Sequence, residues 1–63
     1  MQLEELKLIT ASNIIKLRTT AGLTQAELGH ALNYSDKTIS KWERGEAIPD
    51  AFVLMRMGEI FGV

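Results

Sequence analysis

The chain has 63 residues, 46% of them hydrophobic and 24% charged, with no cysteine and a formal net charge of -1. A chain this short buries only about 60% of the surface its unfolded form exposes, so it holds one modest core and has no room for an enzyme's buried cleft. Disulfides and cysteine-based metal sites are excluded, and the single His30 makes no zinc-ligand spacing with the scattered carboxylates, so neither cofactor nor metal is expected. No apolar run approaches the ~20 residues that span a bilayer, and no signal-peptide pattern is present; these features predict a soluble, cytoplasmic protein without membrane contact. A pI near 5.7 is not the basic footprint of a typical nucleic-acid binder. Any case for DNA must come from where individual residues fall.

Strand signals are weak, because apolar and polar residues do not alternate and β-branched residues are scattered. Helical signals recur four times and predict an all-α bundle. The first helix runs from about Ala11 to Ala21, with Ile14, Leu17, Arg18 and Ala21 on one face, Gly22 in the left-handed position after its end, and Thr10 or Ser12 as its cap. Residues 1–9 carry Leu3, Leu6 and Ile9 at steps of three, which suits either an extension of this helix or a docked arm; residues 10–63 form the domain.

Thr24-Gln25-Ala26-Glu27 is a capping box that starts the second helix, with Leu28 and Leu32 facing the core. Gly29 lies between them at a cost of about 1 kcal/mol relative to Ala, which predicts a closely crossing helix. Asn33 tolerates the left-handed conformation that ends a helix. Ser35 caps a third helix, with Ile39 and Trp42 inward, Lys37, Ser40, Lys41 and Arg44 outward, and Gly45 ending it. Ala47 to Pro49 forms a loop. Asp50 caps a fourth helix whose buried face is expected to hold Leu54, Met57, Gly58 and Phe61, with Gly62 closing it.

Two short helices joined by a tight turn make a helix-turn-helix, and its parts fall within about residues 25–44. Ser35 to Thr38 occupy the first turn of its second helix, where free N–H groups and short polar side chains can meet a phosphate or a base edge. Thr24-Gln25-Ala26-Glu27-Leu28, Tyr34-Ser35, Thr38-Ile39-Ser40-Lys41-Trp42-Glu43-Arg44-Gly45 and Pro49 together resemble the Cro and phage-repressor helix-turn-helix family, also called Xre. The resemblance covers roughly Ile9 to Val63, and Ile39 to Gly45 is its most specific run. Gly29 stands where the family usually has Ala, and Asn33 where it usually has Gly. The family pattern normally continues past Gly62-Val63 into a fifth helix that helps complete the core and often the dimer, so the chain is expected to be truncated at its C-terminal end.

The resemblance implies a bacterial or phage type transcriptional regulator, a repressor, that reads double-stranded DNA in the major groove as a homodimer on a palindromic operator. Position by position it implies that Gln25 contacts a phosphate and braces the recognition helix. Ser35, Lys41 and Arg44 contact phosphates, and Asp36, Lys37, Thr38 and Ser40 face base edges. Arg18 and Glu43 form an ion pair between the first and third helices. The residues support that pair independently, since an Arg on an apolar helical face needs a partner.

Plainer readings stand beside these. Trp42 follows Ile39 by three residues and reads as core rather than as a stacking platform. Lys37 and Lys41, four apart, form an ordinary solvated pair on an arbitrary helix. Asp36 is equally explained by the helix dipole or as an acceptor for a cytosine amino group. His30 reads as a surface residue, and the three Met residues as gap-fillers. From Gln25 to Arg44, Lys37, Lys41 and Arg44 oppose Glu27, Asp36 and Glu43, a net of zero. The face stays basic only if Arg18 neutralises Glu43 and Glu27 turns to its cap. A dimer making about 6 phosphate contacts would then show a salt slope near -5, and a monomer would bind weakly. The other reading is a protein-interaction module on the same fold, such as an antitoxin or regulator-binding domain, favoured by the -1 charge and the apolar residues 1–9.

Overall fold

The computed structural model describes Met1 to Val63 as four helices: α1 (Leu3–Thr20), α2 (Gln25–Leu32), α3 (Asp36–Glu43) and α4 (Ala51–Phe61). Helix α1 passes unbroken through Ile9 and Thr10, so residues 3–9 extend the helix rather than forming an arm. Its cap is Gln2, whose N–H donates to the Glu5 carboxylate at 3.3 Å, not Thr10 or Ser12. Glu4 and Glu5 in the first turn also suit the positive end of the helix dipole, which lets the helix begin this early. Ala11 and Ile14 are its buried residues, and Leu3, Leu6, Leu8 and Ile9 remain exposed.

Three helix ends share one device. Gly22, Asn33 and Gly45 take φ of 75°, 64° and 73°, and the N–H of each and of the next residue return to carbonyls of the last helical turn. At α2, Tyr34 donates to the Gly29 carbonyl at 2.8 Å, which turns the chain into Ser35, the N-cap of α3. This explains Gly29 differently from the sequence expectation. A Cβ there would lie 2.6 Å from the Tyr34 carbonyl oxygen, so it is the backbone of the turn, rather than a crossing helix, that excludes a side chain.

All three expected caps of the later helices are present in the same form: Thr24 Oγ accepts from the Glu27 N–H, Ser35 Oγ from the Thr38 N–H and Asp50 Oδ1 from the Val53 N–H. The core comprises Ile14, Leu28, Leu32, Ile39, Trp42, Val53 and Met57, with Ala47, Ile60 and Phe61 packed against it. Leu28 and Ile39 are fully buried, each contributing about 1.5–3 kcal/mol of transfer free energy. In α4 the buried residues are Val53 and Met57, while Leu54 is 43% exposed. The expectation of a buried Leu54 is corrected here: the rotation of α4 against α2 turns Val53, four residues before Met57, into the core instead. Met57 fills the core as expected, whereas Met1 and Met55 are exposed. No helix is long and apolar enough to cross a membrane.

Candidate functional site

Helix α3 is anchored by one face. Ile39 and Trp42 are buried, and the Tyr34 and Trp42 rings meet edge to face with centroids 5.2 Å apart and planes at 67°. The opposite side is open: Ser35, Asp36, Lys37, Lys41 and Arg44 are exposed, while Thr38 and Ser40 are half-buried. The N–H groups of Asp36 and Lys37 have no acceptor within the chain. The Thr38 N–H is already engaged by Ser35 Oγ at 3.3 Å, and the two hydroxyls lie 3.3 Å apart. The free hydrogen-bonding capacity of this turn therefore comprises the two N–H groups, the side chains of Asp36 and Lys37, and the one hydroxyl hydrogen that the Ser35–Thr38 contact does not use.

A polar network fixes the other end of α3. Arg18 Nε donates to Glu43 Oε2 at 2.6 Å and Nη2 to Oε1 at 3.0 Å, a two-pronged pair, while Nη1 donates to the Leu23 carbonyl at 2.9 Å. Gln25 Nε2 donates to the same Glu43 Oε1 at 2.9 Å, so α1, α2 and α3 are joined at one carboxylate. Burial pushes the Glu43 carboxyl up, but hydrogen bonds from Arg18 and Gln25 and the charge of Arg18 outweigh it and hold it below the usual carboxylate range. The bond to Glu43 likewise raises Arg18 above its ordinary value, against a smaller opposing effect of burial. Gln25 has its amide nitrogen turned to helix α3 in this arrangement.

Arg44 differs from its expected freedom. Its Nε donates to Glu46 Oε2 at 2.6 Å and its Nη1 to the Ser40 hydroxyl. The hydrogen bond and charge of Arg44 lower the Glu46 carboxyl, with a further lowering from the charge of Lys41. Sequence reasoning missed Glu46 because it lies past the helix and beyond the residues counted for charge. Gly45 in the left-handed conformation, the signal that was present, folds Glu46 back so that its N–H reaches the Lys41 carbonyl at 3.0 Å.

Glu27 turns back onto the Thr24 N–H at 2.8 Å, and this bond, with the Thr24 hydroxyl, lowers its carboxyl. His30 is exposed, and no group of three or more His, Asp or Glu residues is placed to hold a metal ion. A cleft of about 200 Å³ lies between α1 and α4, lined by residues including Ile14, Leu17, Leu54 and Met57, with no charged side chain and no residue of α3.

Two short helices locked by a tight turn, the second presenting an open polar face, define a helix-turn-helix protein. Residues 14–63 match the Helix-turn-helix family of Cro/C1 (Xre-like) type, and the chain belongs to that family, which comprises DNA-binding regulatory domains and not enzymes. The chain is also similar, at 38% identity over 50 residues, to a Yarrowia lipolytica protein with the name multi-protein-binding factor 1. The alignment covers 79% of this chain and 33% of that protein, so the chain spans about a third of its relative's length. With a relative in a yeast, the similarity is not confined to the bacterial and phage type.

Proposed function

We propose that the chain binds duplex DNA by inserting the first turn of α3 into the major groove, and that it acts as a transcriptional repressor. The observation that carries this reading is the pairing of the unsatisfied Asp36 and Lys37 N–H groups with exposed side chains on the face opposite Ile39 and Trp42. In this reading Asp36, Lys37, Thr38 and Ser40 face base edges. Ser35, Lys41, Arg44 and Gln25 face phosphates, with Arg18 and Glu43 holding the helix at its docking angle. Pairing of two copies on a palindromic operator belongs to the same proposal, because two exposed lysines opposed by Asp36 make a weakly charged face for a single copy. So does a cytoplasmic location, with access to DNA.

Selection of bound sites from random duplex DNA tests this. Enrichment of a sequence with half-sites about one helical turn apart is expected, and failure to enrich any duplex would overturn it. A second reading has its own support. Leu3, Leu6, Leu8 and Ile9 on α1 and Phe52, Leu54 and Met55 on α4 are exposed apolar residues, and a relative takes its name from multi-protein binding. A protein-interaction role uses that surface, and it predicts neither duplex binding nor a salt slope.

A further inference from the structure

We propose that Glu46 is an internal occupant of the phosphate site formed by Lys41 and Arg44, which DNA must displace, so that this carboxylate sets the affinity and the salt dependence of binding. The inference rests on the DNA-binding reading above and adds to it a residue which that reading does not use.

The geometry builds this competitor from the local backbone. Gly45 has φ of 73°, and the chain reverses there, with Gly45 donating to the Trp42 carbonyl at 3.1 Å and Glu46 to the Lys41 carbonyl at 3.0 Å. A side chain at position 46 is thereby held against the last turn of α3. Its carboxylate takes the Arg44 Nε at 2.6 Å and Nη2 at 3.4 Å, the fork by which a guanidinium also grips a phosphate. Ser40 accepts from the third guanidinium nitrogen, so each of the three nitrogens of Arg44 has a partner within the chain. The charge of Lys41 also lowers the Glu46 carboxyl, so a second cation of α3 acts on it beside Arg44. Both members of the Arg44–Glu46 pair remain about half exposed, at 54% and 52%, so a phosphate has access and the exchange is reversible.

Counterions are released from the phosphates that a chain neutralises, and an arginine that stays paired with a carboxylate neutralises little phosphate charge. Freeing it adds about 0.9 to the salt slope per copy, or about 3.5-fold in affinity between 50 and 200 mM salt. Removing an exposed partner of this kind shifts affinity by up to about fivefold at low salt.

The test measures anisotropy of a labelled random-sequence duplex with the full chain at 50 and 200 mM salt, for wild type, Glu46→Gln, Arg44→Ala and the double variant. Glu46→Gln is expected to bind two- to fivefold more tightly at 50 mM with a steeper salt slope, and the gain is expected to shrink in the Arg44→Ala background. Detectable binding by Glu46→Gln alone also supports the proposal. Wild-type binding that Glu46→Gln leaves unchanged would overturn the proposal and leave the DNA-binding reading intact. A gain that persists undiminished without Arg44 would also overturn it, because net charge alone would then explain the effect. Absence of binding in both wild type and Glu46→Gln overturns the DNA-binding reading and this inference together.

Discussion

Replacing Glu43 with Ala removes the one carboxylate at which α1, α2 and α3 meet. The Glu43 side chain is 6% exposed and that of Arg18 is 15% exposed, so the substitution leaves a largely buried guanidinium with only the Leu23 carbonyl at 2.9 Å as acceptor. The Gln25 amide loses its partner as well. Breaking a buried pair typically costs about 3–5 kcal/mol. The remaining bond to Leu23 and the residual exposure of Arg18 allow partial resolvation, which brings the expected loss to about 2–3 kcal/mol. In a domain of this size each kcal/mol moves the midpoint by about 4–8 °C, so Tm should fall by about 10–20 °C. Melts followed by far-UV circular dichroism at pH 7, with urea titrations alongside, measure both quantities. The paired replacement Arg18→Met with Glu43→Leu should recover most of the loss, since apolar residues of similar volume need no partner. A Glu43→Ala loss below about 1 kcal/mol would refute the reasoning, because the pair would then be acting as an ordinary surface bridge.

Acid should weaken the native protein along the same route. Glu43 and Glu27 are held below the usual carboxylate range, so their stabilisation is present above the unfolded value and is lost as pH falls through the lower folded values. A wild-type Tm that stayed flat from pH 6 to about 3 would contradict that, and the gap between wild type and Glu43→Ala should narrow over the same range. Gly29→Ala gains about 1 kcal/mol of helix propensity but drives a Cβ to 2.6 Å from the Tyr34 carbonyl oxygen. The turn must move to accommodate it, so a net loss of about 1–2 kcal/mol is expected in a urea titration, and a raised midpoint would show that the turn yields freely. Thr24→Ala should cost about 1 kcal/mol through loss of the α2 cap, read from the same titration. In binding assays, Lys41→Ala should weaken all duplexes alike and reduce the salt slope by about 0.9, whereas Lys37 or Asp36 substitutions should change selection at one or two base pairs. Identical selection profiles for wild type and a Lys37, Asp36 double variant would remove both from the base-facing set.

Local chemistry made much of this protein legible from its residues alone. Thr24 with Glu27, Ser35, Asp50, and the left-handed Asn33 and Gly45 each act within a few residues of the chain, so their roles can be read without knowing how the helices pack. The inward setting of Ile39 and Trp42 follows from helical periodicity in the same way. What tertiary structure decided depends on the relative placement of elements. Residues 3–9 suited a helix or an arm equally, and Gln2 with the acidic first turn joins them to α1. In α4 spacing pointed to Leu54, and the rotation of the helix against α2 buries Val53 instead, since one residue's shift turns a side chain by about 100°. Gly29 was recognisable as a close approach, but only the path of the turn identifies the Tyr34 backbone as what approaches it. For Arg44, counting charges along the chain left the side chain free, whereas the reversal at Gly45 brings Glu46 onto it. Short-range hydrogen bonding is written in neighbouring residue types, while the partner of a long, flexible charged side chain is set by where the folded backbone delivers the opposite charge.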